Sequence, residues 1–322
     1  MRSGDHLGLT HESDVDSVQD VPARQVSPRV IVPLDGSPLS EQALGLGQAL
    51  ARLLTGSIEL VHVVDPEIAT PDSLSDRRAQ ATQYLAHVAQ RIGDDIPVRT
   101  DVITGSPVES LLEFFAGSRN TLAVMSTHGR SGLRRFLFGS VADKLIRGAQ
   151  VPVALVRDAA VHAHDIRQLL VPLDGSALSA TALPLAMALA RDERPLGLVR
   201  VVDVPYPREN VALAYGSLWG DPGLVAELAV QAEQDARMNL ENVALRLRAA
   251  GCRVGWEMRA GRPSDEIIRM AETTGTDLIV MATHGLGGLR RWAFGSVTDD
   301  VVHRSHIPVL VIPANSQFAR PG

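Results

Sequence analysis

The residues whose types and spacing suit chemistry fall in two copies of one stretch, Thr127–Ile146 (THGRSGLRRFLFGSVADKLI) and Thr283–Val302 (THGLGGLRRWAFGSVTDDVV). In each copy an apolar run that reads as a buried strand, Leu122–Met125 or Leu278–Met281, ends in Thr-His-Gly, and nine residues later Gly-Ser opens an amphipathic helix. The first-turn N–H groups of a helix have no intrahelical partner and carry the positive end of its dipole, so an anion binds there readily. Gly139 and Gly295 let a ligand come close to the backbone, while Gly129 and Gly285 permit a sharp exit from the strand. The chemistry implied is phosphate binding. A purely structural reading competes with it, because Ser140 with Asp143 and Ser296 with Asp299 each form an S-x-x-D capping box that explains Gly-Ser before a helix without any ligand.

The elements that must position these loops alternate. Val30–Leu34 is a continuous apolar run, as expected of a strand covered on both faces. Ser37-Pro38 then supplies an N-cap and a first helical residue, and Ala43, Leu46, Leu50, Leu53 and Leu54 recur at helical spacing. A strand over Ile58–Asp65, a loop over Pro66–Ser75, a helix over Asp76–Ile92, a strand over Val98–Ile103 and a helix over Val108–Ala116 lead to the central strand. A helix over Val141–Arg147 and a closing strand over Val151–Arg157 complete the unit. Alternating strands and helices imply right-handed crossovers and a parallel α/β sheet, Rossmann-like and doubly wound, with five strands in each half.

Asp35 and Asp174 are 139 residues apart while His128 and His284 are 156 apart, so the second copy carries 17 more residues between its motifs. The excess lies in Val204–Gly223, with Tyr206, Tyr215 and Trp219, which is either a lid over the carboxyl ends of the strands or a surface excursion whose aromatics pack back on the domain. The expected organisation is a flexible tail over residues 1–28, a first domain over 29–157, a linker over 158–167, a second domain over 168–314 and a short tail over 315–322. His162 and His164 in the linker have no cysteine nearby and only Asp165 beside them, which favours a solvated linker over a metal site. The short apolar strands Val151–Val156 and Ile307–Ile312 would be exposed edges unless paired.

The chain has 322 residues, net charge −6 and one cysteine, Cys252. That length calls for two domains, the charge offers no footprint for nucleic acid, and the lone cysteine excludes an intrachain disulfide and fits a reducing, cytoplasmic compartment. No apolar run of about 18 residues predicts a membrane span.

The order of motifs, H-G, nine residues, G-S-V, then a helix and a V-P-V strand, resembles the universal stress protein family. The opening strand and aspartate, VIVPLDGSPLSEQAL at Val30–Leu44, recur as LLVPLDGSALSATAL at Leu169–Leu183, so the resemblance covers both halves. It implies a strand order of 3-2-1-4-5 in each half and a meeting of the two closing strands, here within one chain as a pseudo-dimer, and leaves a further homodimer open. The family's ATP-binding branch has G-x-x-G, nine residues, then G-[S/T]. This chain departs at the first glycine, which is Ser126 in one copy and Ala282 in the other.

Carried over from that branch, the first site would set Pro33 and Asp35 against the nucleoside and the Val63 backbone against adenine. Gly129, Gly139, Ser140 and Val141 would hold the phosphates, with His128 in the turn. The second site would use Pro172, Asp174, Val201, His284, Gly285, Gly295, Ser296 and Val297, with the Thr298 hydroxyl where the first has Ala142. Asp35 and Asp174 can accept from a ribose hydroxyl or an exocyclic amine, or else cap the following helix. Arg130 can grip a phosphate with two N–H groups, whereas Leu286 at the same point of the second loop cannot, so the first site is expected to bind at least as tightly.

No acid stands at a spacing suggestive of a catalytic pair with the histidine in both repeats, and no Gly-Lys-[Ser/Thr] follows the glycine turn, so neither a general-base reading nor a Walker loop is supported. The expectation is an adenine-nucleotide binder, taking ATP, ADP or AMP with Mg²⁺ carried in by the phosphates. It would act as a stress-responsive sensor toward a protein partner not named by the sequence, with slow ATP hydrolysis as the most it could catalyse. The alternative is a nucleotide-free interaction scaffold of the same fold.

Overall fold

The computed structural model describes residues 27–68, 71–117, 120–127, 140–157, 165–191, 194–202, 222–283, 295–316 and 318. The expectations for the two glycine-rich loops, residues 204–221 of the inserted segment, the histidines of the linker and most of the N-terminal tail lie outside the described residues, while Pro222 and Gly223 open a helix.

The first half contributes strands β1 (Arg29–Pro33), β2 (Ser57–Val64), β3 (Val98–Thr104), β4 (Thr121–Ser126) and β5 (Val153–Val156). The second contributes β6 (Leu169–Pro172), β7 (Leu196–Val202), β8 (Val254–Ala260), β9 (Leu278–Thr283) and β10 (Val309–Pro313). They form one 10-stranded sheet in the order β3-β2-β1-β4-β5-β10-β9-β6-β7-β8. Within each half the strands pair parallel in the order 3-2-1-4-5, and the halves join where β10 runs antiparallel to β5, with Leu310 opposite Ala154. That antiparallel contact gives each closing strand a partner on its otherwise open side.

The helices are α1 (Ala43–Leu53), α2 (Pro71–Ala89), α3 (Pro107–Ala116), α4 (Ser140–Gly148), α5 (Ala177–Ala180), α6 (Leu183–Leu189), α7 (Pro222–Ala249), α8 (Pro263–Thr274) and α9 (Ser296–Arg304). They cover both faces of the sheet, which is why β1 reads as unbroken apolar sequence: Val30, Ile31 and Val32 are all fully buried. Alternate side chains of each strand enter two separate apolar layers. One layer holds Val30, Val32, Leu46, Leu50 and Leu85 together with Leu169 and Leu310, and the other holds Ile31, Phe115 and Leu145 together with Ile279 and Val311. Each layer therefore runs through both halves without a break.

The segment expected as a loop over Pro66–Ser75 is instead a 3-10 turn at Pro66–Ile68 followed by α2 from Pro71. Proline is well suited to the first helical position, where its missing N–H would have had no partner. The closing strand β5 starts at Val153 rather than Val151, since Pro152 accepts from the Ala123 N–H but has no N–H to return.

Candidate functional site

β1 pairs directly with β4 and β6 with β9, so Asp35 and Asp174, just past β1 and β6, lie at the same edge of the sheet as the chain leaving β4 and β9. The strand order thus gathers the opening aspartate and the helix-leading Gly-Ser at one rim, twice.

Both aspartates are exposed, and both organise the same turn. Oδ1 of Asp35 accepts from the Ser37 N–H at 2.9 Å and the Ser37 hydroxyl at 2.5 Å. Oδ1 of Asp174 accepts from the Ser176 N–H at 2.9 Å and the Ser176 hydroxyl at 2.6 Å. Each serine oxygen in turn accepts a backbone N–H three residues on, from Ser40 at 3.1 Å and from Ser179 at 3.0 Å. Finally the Ser40 and Ser179 hydroxyls each donate to the carbonyl of that first serine and accept the aspartate's own N–H. In the second half Ser176 thereby caps α5; in the first, Ser37 and Pro38 precede a 3-10 turn over Ser40–Gln42 rather than opening a helix as expected, and Ser37 holds that turn instead. In both the aspartate fixes the serine, which leaves each carboxylate at the surface of the rim. Gly36 and Gly175 both have φ +83°, the left-handed conformation that makes the turn possible. At Asp174 burial works against ionisation, but the hydrogen bonds from Ser176 and Ser179 outweigh it and hold the carboxyl below its ordinary value. The signal for the four serines was in the sequence as D-G-S-x-x-S, present in both halves, although only Asp35, Asp174 and Ser37 stood out from it.

The helix on the other side of the rim is led by glycine. Gly295 is the N-cap of α9 at φ −59° and ψ 140°, and among the described residues no side chain caps the helix and none lies within 4 Å of a Cβ placed on Gly295. The expected capping box does not form: Ser296 is the first helical residue, and the Asp299 carboxylate faces Arg147 at 3.3 Å and His303 Nδ1 at 3.5 Å. In the first half α4 starts at Ser140, and Asp143 accepts from Arg147 Nε at 2.9 Å. Arg147 consequently bridges the two helices whose beginnings face the two rims.

The remaining site residues fall in place by element. Pro33 ends β1 and Pro172 ends β6, while Val63 and Val201 stand near the ends of the adjacent β2 and β7. Ser126 ends β4, and Ala282 is the penultimate residue of β9. Val141 and Val297 pack their side chains on the apolar layer and so could offer a ligand only their backbones. Thr298 is buried, and its hydroxyl donates to the Ala282 carbonyl at 3.3 Å, fastening α9 to the end of β9. His128, Gly129, Arg130, Gly139, His284 and Gly285 lie outside the described residues.

Two residues absent from the sequence-based set stand behind the aspartate turns. His62 on β2 is half-buried, its ring lies edge-on to Tyr84 with centroids 6.2 Å apart, and its Nδ1 is buried with no hydrogen-bond partner. Burial lowers its pKa, against the pull of the Leu34 backbone and the Asp35 charge. The matching position on β7 is Arg200, whose guanidinium packs over Gly175 so closely that a Cβ there would lie 2.6 Å from Nη1. Only a glycine accommodates both that contact and the positive φ.

Together the sheet order and the twofold-repeated rim define a tandem, doubly wound α/β protein. A profile of the Universal stress protein family matches residues 27–157 and 165–313, and the chain belongs to that family. It is 28% identical over 303 residues to a universal stress protein of Mycobacterium tuberculosis, covering 88% of this chain and 96% of that one. A universal stress protein of Methanocaldococcus jannaschii is 34% identical over 140 residues, 40% of this chain and 81% of its own. The crystal structure of a universal stress protein from Archaeoglobus fulgidus has the same fold, with a TM-score of 0.68 at 21% identity over 89% of this chain and 99% of that one. Among the described residues no helix is long and apolar enough to cross a membrane.

Proposed function

We propose that each half binds an adenine nucleotide, ATP or its di- or monophosphate, in the crevice between its aspartate turn and its glycine-led helix, and that occupancy alters the surface shown to a protein partner under stress. The observation that carries this reading is at the second rim: among the described residues the first turn of α9 has no side-chain cap and nothing packs on its leading glycine, and an exposed carboxylate follows the adjacent strand on the same edge. Bare amides and a helix dipole suit phosphate oxygens, and a fixed carboxylate suits ribose hydroxyls. Asp174 and the α9 amides would hold the second nucleotide, and Asp35 with the start of α4 the first. Thr298 is assigned to the fold rather than to the ligand, because its hydroxyl already serves β9. A bound nucleotide would bring its own Mg²⁺ with the phosphates.

Calorimetry with ATP, ADP and AMP tests the proposal. Wild-type protein is expected to show saturable binding, and Gly295→Arg, which fills the open space before α9, to lose one site while keeping the other. Flat titrations with all three nucleotides would overturn it and favour a scaffold that recognises no small molecule.

A further inference from the structure

Val230, Met238 and Leu245 are each 54% exposed, and these exposed large apolar side chains of the described residues all lie on one helix, α7. At 3.6 residues per turn the three fall within a stripe about 80° wide. The stripe is opposite the buried side of α7, which carries Ala236, Leu240 and Leu247. Those buried residues correspond to Ala81, Leu85 and Ile92 of the first half, 155 positions earlier. The same shift matches Val230, Met238 and Leu245 to Ser75, Gln83 and Gln90, all exposed and all polar. An outward face that is hydrophilic in one half is thus apolar at the same three positions in the other, so the exposure is not a requirement of the fold.

We infer that this face of α7 is where a second copy of the chain docks, helix against helix and antiparallel. The charge pattern selects that partner and direction. Exposed Glu227 and Asp235 lie toward the N-terminal end, exposed Arg246 and Arg248 at the C-terminal end, so an antiparallel copy sets acidic end against basic end and a parallel copy sets like against like. Antiparallel helices also oppose their dipoles favourably. With the twofold axis passing between residues 237 and 238, Val230 faces Leu245 of the second copy, Gln234 faces Glu241, and Glu227 reaches the Nη1 side of Arg248, whose Nε and Nη2 donate to the Val254 carbonyl at 3.0 and 2.8 Å, each pair occurring twice as a twofold contact demands. The two Met238 side chains meet beside the axis, where their flexible thioethers can fill the gap between crossing helices. One helix pair buries a small area, so the dimer is a weak, concentration-dependent one.

Sedimentation of the full chain over a wide concentration range, with cysteine cross-linking in a Cys252→Ser background, decides the matter. A concentration-dependent dimer is expected, with Met238→Glu raising its dissociation constant by at least about tenfold and leaving the melting temperature unchanged. Mixed Val230→Cys and Leu245→Cys proteins should form a disulfide dimer rapidly. Val230→Cys alone should not, because 15 residues of helix separate it from its dyad position by about 22 Å. A wild type that stays monomeric, a dimer indifferent to Met238→Glu, or self-cross-linking of Val230→Cys as fast as the mixture would each overturn the inference.

Discussion

Behind the Asp35 turn stands a half-buried histidine; behind the Asp174 turn stands an arginine. The turns themselves are alike atom for atom, with the same serine N–H and hydroxyl on Oδ1 and the same φ of +83° at the glycine. The surroundings diverge further out. In the first half α3 and α4 approach through apolar contact, so closely that a Cβ on Gly148 would lie 3.0 Å from Leu112. In the second, α8 and α9 are tied by Arg262–Asp300 at 2.7 Å and Arg304–Asp265 at 2.5 Å. Where the halves meet, equivalent positions carry Ala154 and Leu310, and they face each other. The lesson is that local backbone-to-side-chain hydrogen bonding holds the rim, while packing around it was free to change, and the change at the junction makes the two halves complementary rather than interchangeable.

The largest test of that complementarity is Leu310→Ala, which removes a fully buried side chain from the junction. It should cost about 2–5 kcal/mol in denaturant unfolding, and adding Ala154→Leu should recover part of the loss by moving the large side chain to the other strand. If the double variant is as unstable as the sum of the singles, the small-against-large pairing is not what joins the halves.

Smaller effects follow at the rim glycines. Gly36→Ala and Gly175→Ala both force an L-residue into the left-handed region, at a cost of about 1–2 kcal/mol each. Gly175→Ala should cost more, because Arg200 must also move, and the excess should vanish in an Arg200→Ala background, a double-mutant cycle that reads the contact directly. Equal losses in the wild-type background would show that the guanidinium yields freely.

The histidine distinguishes the halves by pH. Since folding lowers the His62 pKa, the unfolded chain takes up the proton first as pH falls. His62 therefore leaves stability at its full value above about pH 6.5 and erodes it as pH drops through the lower folded value. Thermal unfolding followed from pH 8 to pH 5 should show this decline, and His62→Gln should flatten it. Asp174, also lowered, contributes a further loss only at the more acidic end. The smallest effect is expected from Arg147→Ala, whose ion pairs to Asp143 and Asp299 are partly solvated and worth under about 1 kcal/mol together.

Much of this was legible in the residues themselves. The apolar run of β1, the repeated LDGS and the paired H-G and G-S-V motifs announced two α/β halves, each with an aspartate turn and a helix start at one rim, because strand burial and helix initiation are written in local sequence. The 3-10 turn and early start of α2 were not, since proline among polar residues before Asp76 reads equally as a loop or as a first helical turn. The capping box was misleading for a related reason: Asp299 has the right spacing to cap, but Arg147, 152 positions away, competes for its carboxylate. His62 and Arg200 escaped notice because a lone polar residue in a strand says nothing about which turn it will lie beneath.

Sequence alone determined that this chain would build the same layered unit twice and place a carboxylate and a glycine-led helix at the end of particular strands, because hydrophobic periodicity and turn chemistry act over a few residues. Tertiary structure decided that the two sheets become one through β5 and β10, that Arg147 spans the junction, and that Val230, Met238 and Leu245 remain at the surface. Those outcomes depend on which groups far apart in the chain come within a few ångströms of each other, and no local pattern encodes that distance.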